Sequence, residues 1–327
     1  MTARSGVRAA LAAAFLLGVA CTSDDPTSSA PASSVTATID PATFAAQVPS
    51  TDLYLDAPQR VQVGVFASDE DQGILLLTSG SIEARLTPFE DGPGTPVEGT
   101  ADYVPAPFTD GSADDPLTLT APSQARGVYQ LTDVTFDAAG IWQADISFEL
   151  EGRPIELTTQ FQVLERPHLP APGDPALRTD SLTMDSDVPP AAIDSRAVTD
   201  GQVPDPELHA ESIAQAIRRG QPIVALFATP VYCTSQFCGP DVEWLAELAS
   251  QRPDDAAYIH VEIWADHTTE SQTLNQAAVD WLYRDDNLTE PWLFVIDADG
   301  TIVDRWAPLF DPAEVEAALD AVTQGPA

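Results

Sequence analysis

Lysine is absent from this chain. All 14 basic residues are arginine and stand against 51 acidic residues, for a formal net charge of -37 over 327 residues. So few cations cannot neutralise a run of phosphates, which excludes a nucleic-acid partner. The same surface is repelled by an anionic lipid face. Its excess charge keeps a protein soluble where salt screens the self-repulsion, as in a saline or alkaline habitat. Cysteine occurs only as Cys21, Cys233 and Cys238. Residues 49–165 have no cysteine, histidine or methionine, so no disulfide staples them and the soft ligands that copper needs are missing there. The apolar run 9–20 is too short to span a bilayer. No internal repeat, glycine-rich phosphate loop or Ser/His/Asp arrangement is present.

Arg4 and Arg8 precede that apolar run, which is the pattern of an export signal. The run ends in Leu17-Gly18-Val19-Ala20-Cys21 and gives way at once to Thr, Ser, Asp and Pro. This resembles a bacterial lipobox, with Gly18 standing where the usual pattern has Leu. The resemblance implies that residues 1–20 are a signal peptide. It also implies that Cys21 is lipidated and anchors the chain at the extracytoplasmic face of the cell membrane. Residues 21–48 would then be a flexible tether, since their Ser, Thr, Ala and Pro cannot pack a core. The competing reading is an ordinary secretory signal with a chance cysteine at its end.

Residues 49–165 alternate with period two in short runs such as 60–66, 127–131 and 142–150, punctuated by Gly, Pro and Asp. Evenly spaced strands without helical periodicity predict a β-sandwich. The stretch Gly127-Val128-Tyr129 … Phe136 … Gly140-Ile141-Trp142 resembles the late strands of immunoglobulin-like extracytoplasmic domains. Trp142 is expected in the core. Residues 166–206 are rich in Pro and Asp and long for a loop, so they read as a linker.

Beyond residue 207 the pattern changes to alternating helices and strands. An amphipathic helix is predicted over 207–219, ending at Gly220. The apolar run 222–227 reads as a strand buried on both faces. Gly239-Pro240 opens a helix, residues 258–264 read as a second buried strand, and 273–283 look helical. Residues 292–297 and 301–306 form a hairpin across Asp299-Gly300, and a helix closes over 312–322. This order predicts an α/β layer structure. A strand running into Cys233-Thr234-Ser235-Gln236-Phe237-Cys238, then a helix, then Glu290-Pro291-Trp292 before the hairpin, resembles the thioredoxin fold over 207–327. The expected fold class is therefore multidomain: an all-β immunoglobulin-like sandwich followed by an α/β thioredoxin-like domain.

The resemblance implies a catalytic pair, with Cys233 the exposed nucleophile and Cys238 the resolving thiol. It also implies a substrate groove of Tyr232, Glu290 and Pro291, and a cis Glu290–Pro291 bond. The sequence departs from the family by placing four residues between the cysteines and an apolar run before them. A helix N-terminus favours the thiolate, whereas Asp241 and Glu243 in the same first turn oppose it. Four intervening residues allow a disulfide, and its short ring contributes little chain-entropy stabilisation. His260 and His267 do not match the position of a copper ligand in this family, so no metal or cofactor is expected. The leading reading is a membrane-tethered thiol–disulfide oxidoreductase whose partners are extracytoplasmic thiol or disulfide proteins. The alternatives are a non-catalytic envelope-binding protein with a structural disulfide, or a copper or haem-maturation accessory.

Overall fold

A computed structural model describes residues 40–324 except 269. The segment read as a signal peptide, Cys21 and most of the expected tether lie outside the described residues. The alternating segments of the first half form ten strands: β1 (Phe44–Gln47), β2 (Leu53–Tyr54), β3 (Gln59–Asp69), β4 (Gly73–Thr78), β5 (Ser81–Pro88), β6 (Val97–Pro105), β7 (Thr118–Thr120), β8 (Gly127–Val134), β9 (Gly140–Leu150) and β10 (Arg153–Leu164). They join into a single sheet in the order β2-β10-β9-β5-β6-β8-β3-β4-β7, with β1 added against β3. The β2–β10 pair is parallel and makes the sheet mixed. The first residues of β3 pair with β8, while its later residues pair with β1 and β4. One long strand thus carries the sheet around a bend, and the sheet curls over its own apolar face. Val61, Leu86, Phe136, Trp142 and Ile146 fill that interior at 1% exposure or less. Each such side chain contributes about 1.5–3 kcal/mol by leaving water.

The second half is built around α1 (Pro190–Ile193), α2 (Ile213–Arg219), β11 (Ile223–Ala228), α3 (Cys238–Gln251), β12 (Ala257–Glu262), β13 (Trp264–His267), β14 (Gln272–Leu274), α4 (Gln276–Leu282), β15 (Trp292–Ile296), β16 (Ile302–Trp306) and α5 (Pro312–Thr323). Strands pair in the order β12-β11-β15-β16, and β13 pairs with β14 apart from them. Alternate residues of β11 pack on α2 and α4 on one face, and on α3 and α5 on the other. The helix expected from 207 starts only at Ile213. There Ser212 and Gln215 make a reciprocal capping box, and Pro206–His209 forms a separate 3-10 turn. Gly220, at φ 66°, closes α2 in the left-handed conformation.

The expected fold class does not hold. The strands of the first half make one curled mixed sheet instead of two stacked ones. The described residues belong to one compact unit, so no separate thioredoxin-like domain is set apart from the sheet. The physical reason is pairing between residues far apart in sequence. Arg305 meets Asp52 at 2.7 Å with both side chains buried, and also donates to the carbonyls of Leu169 and Pro170. Arg60 binds Asp304 through two nitrogens, at 3.1 and 2.7 Å, and reaches Glu314 at 2.5 Å. Gln62 donates to Leu309 O at 2.7 Å from a buried position. Residues 166–206 do not hang between two bodies either: Leu169, Ala176, Asp194 and Ser195 are buried within the unit.

Candidate functional site

β11 is apolar and buried from end to end, so its chemistry begins only where it stops, at Ala228. Residues 229–237 loop from there to α3, whose first residue is Cys238. Phe237 precedes the helix without a side-chain cap, leaving first-turn N–H groups for other acceptors. The amide of Cys238 points at Cys233 Sγ at 3.4 Å, and Ser235 Oγ lies 3.2 Å from the same sulfur. Cys233 and Cys238 are joined as a disulfide with their Cα atoms 6.1 Å apart. Cys233 is half-buried, whereas Cys238 is fully buried with Leu226, Val242 and Leu245. The pair is therefore asymmetric, with one sulfur near solvent and hydrogen-bond donors and one in the core.

The curled sheet grips this loop. Arg126 donates to Gln236 O at 2.8 Å, and Phe237 packs in an apolar cluster with Val104, Ala106, Val128 and Leu309. A groove of about 510 Å³ opens between them, lined by Ser235, Gln236, Glu290 and Pro291 together with Phe66 and Leu76 from the sheet. The Glu290–Pro291 bond is cis, as is Ala307–Pro308. Burial, reinforced by the charge of Glu262, pushes the Glu290 carboxyl up to about 7. Tyr232 does not line the groove; its ring stacks on His267 with centroids 3.9 Å apart.

Under the loop lies a buried polar network that reaches it through Ser195. Ser195 Oγ accepts from the amide of Val231 at 3.2 Å, two residues before Cys233. The amide of Ser195 donates to Glu262 Oε2 at 2.8 Å. Asn275 ties the segment down by donating to Ala192 O and Glu262 O. Asp194 sits beside His209 and His260, all three fully or almost fully buried, and Arg196 forks onto its carboxylate. Burial opposes charge on Asp194, yet His209, His260 and Arg196 hold its carboxyl far below the usual carboxylate range. Burial lowers the His209 imidazole from its ordinary value and raises the Glu262 carboxyl. The side chains placed to hold a metal ion are Asp194, His209 and His260, whose ligand atoms lie within 4.8 Å of one another. His260 is turned toward Asp194 and Ala228 O, and His267 toward Tyr232 and Trp264.

Asp241 departs from the expectation that it would oppose a thiolate. It is fully buried with neither carboxylate oxygen paired, and desolvation raises its pKa well above the ordinary value. The neutral form is favoured, and the exposed Glu243 lies beyond the first turn of α3, which starts at Cys238.

Sequence reasoning singled out the two cysteines but passed over Ser195, Ser235, Asp194, His209 and Glu262. One signal was available: His260 and Glu262 recur at period two in a strand otherwise apolar enough for the core. Two ionisable groups on one face of a buried strand need partners. No protein-family model matches this chain, and no curated protein matches it.

Proposed function

We propose that the chain is a thiol–disulfide exchange protein, held at the extracytoplasmic membrane face by a lipid on Cys21. Its partners are extracytoplasmic thiol or disulfide proteins. The observation that carries this reading is the convergence of the Cys238 amide and Ser235 Oγ on Cys233 Sγ. Both donate to a sulfur anion, so the geometry favours Cys233 as a thiolate once the bond opens. A substrate thiolate attacks Cys233 Sγ, and the Cys233–Cys238 bond breaks with its electron pair leaving on Cys238. A second substrate thiolate then attacks the substrate sulfur of the mixed disulfide and expels Cys233. The substrate departs as a disulfide, two electrons reside on the cysteine pair, and the two thiol protons end on the pair or in solvent. Run backwards, the same steps reduce a partner's disulfide. Glu290 and Pro291, in the groove beside the loop, would hold the substrate chain. Cys233→Ala is expected to abolish exchange with a model dithiol while leaving the melting temperature within a few degrees, since the ring it opens is short. Undiminished exchange in that variant would end this reading.

One observation favours a second reading. The sheet clamps Gln236 and Phe237, as it would in a binding protein whose disulfide only fixes a loop. A large loss of stability in Cys233→Ala, with no exchange by the parent protein, would select it.

A further inference from the structure

The trio of Asp194, His209 and His260 contains a contact that a neutral cluster cannot sustain. His260 Nε2 faces Ala228 O at 3.1 Å, and a carbonyl only accepts, so the ring proton sits on Nε2. Nδ1 is then a lone pair. It has no hydrogen-bond partner, and it faces Asp194 Oδ2 at 3.3 Å in a site with no solvent exposure. Two lone pairs at that distance repel, and a cation between them turns the contact into an attraction.

The remaining geometry suits a metal ion. His209 Nε2 is 3.4 Å from the same oxygen. A tetrahedral zinc site with ligand bonds of about 2.0–2.1 Å has neighbouring ligand atoms about 3.3–3.4 Å apart. The two edges at Asp194 Oδ2 match, and the third, between the His209 and His260 nitrogens, lies within 4.8 Å. Two of the three have the outer contacts of ligands: His260 is fixed by Ala228 O, and the Asp194 carboxylate is oriented by Arg196, while His209 Nδ1 has no hydrogen-bond partner. Arg196 donates to both Asp194 oxygens, to Oδ2 at 2.7 Å, and also pairs with Asp205 at 2.8 Å, so two carboxylates share one guanidinium and a net negative charge remains for a cation. Two imidazoles and one carboxylate suit a borderline divalent ion rather than calcium or magnesium, which prefer all-oxygen sites.

We propose that Asp194, His209 and His260 bind one zinc-like divalent ion, with a solvent molecule completing the tetrahedron. The site joins three segments that are distant in sequence. It fastens the turn holding Ser195, which in turn accepts from Val231 beside the cysteine loop. It lies outside the groove and stands whether or not the cysteines exchange.

The test uses the chain with its Cys233–Cys238 disulfide intact and the substitution Cys21→Ser, so that no free thiol binds metal. After stripping with a chelator, Zn²⁺ is added and the protein is dialysed against excess Mg²⁺ to displace ions from exposed carboxylates. About one zinc per chain should remain, and melting should move to higher temperature. Co²⁺ in its place should give the intense visible bands of a tetrahedral site. His209→Ala and His260→Ala should each lose the retained metal. Should either fail to fold, the Co²⁺ spectrum of the parent chain decides alone. No retained metal and no visible band in the parent would overturn the proposal and leave a proton between Asp194 and His260. Zinc retained equally by the variants would overturn it too.

Discussion

The curled sheet and the region beyond residue 165 differ most in what they bury. The sheet interior is apolar, with Trp142, Phe136 and Leu86 at 1% exposure or less, and the polar side chains that the sheet buries, Gln62, Thr78 and Gln130 among them, are uncharged. The second region places Asp194, His209, Asp241, His260 and Glu262 at the same depth. Each buried charge or unpaired dipole costs stability unless something compensates it. Such costs are tolerated where chemistry needs desolvated groups, and here they gather beneath and beside the cysteine loop. The sheet contributes the compensation: Arg126 and the Val104–Val128 cluster hold the loop, and Arg60 and Asp52 anchor the strands behind it. One region supplies stability, and the other spends part of it at the site.

The sharpest way to test this division is to damage the sheet alone. Trp142→Ala should lower stability by about 3–5 kcal/mol, because Trp142 is fully buried against Phe136 with its Nε1 bonded to Ala138 O. Denaturant unfolding measures the loss, and the redox behaviour of the disulfide should stay as in the parent. A changed disulfide with an unchanged melting curve would break the comparison. Arg305→Met attacks the link between the regions. It leaves Asp52 buried without its cation and should cost about 3 kcal/mol. Because the described residues form one unit, both regions should then unfold together, followed by tryptophan fluorescence and circular dichroism.

How much of this was legible in the sequence follows physical range. Local signals carried well. The unbroken apolar run of β11 implied burial on both faces, Asp299-Gly300 marked the last hairpin, and the two cysteines five positions apart are bonded. Partnerships over long separations carried badly. Nothing local in Gln59–Asp69 announces that its two ends pair with different neighbours, which is why a curled sheet reads as a sandwich. Pro and Asp made 166–206 resemble a linker, since both are turn formers, and composition hides that Asp194 is fully buried. The polar trio draws on three segments whose spacing matches no short motif.

The smallest expected effect concerns Asp241. Its carboxyl is raised by burial from an ordinary value of 3.8. Below that pH it is protonated both folded and unfolded and has no influence. Above it the unfolded chain gains by ionising while the folded one does not, so stability falls as pH rises toward the folded value. Asp241→Asn should melt like the parent near pH 3 and be more stable at pH 7, by on the order of 1 kcal/mol. Equal stability of the two proteins across that range would show that the site side carries no such cost.

The most direct test of the central claim is the reduction potential of the Cys233–Cys238 bond, equilibrated against glutathione and dithiothreitol buffers. An exchange-active pair, with its short ring and donors aimed at Cys233 Sγ, should lie between about -270 and -120 mV. A potential below about -300 mV would contradict the account and make the bond a staple.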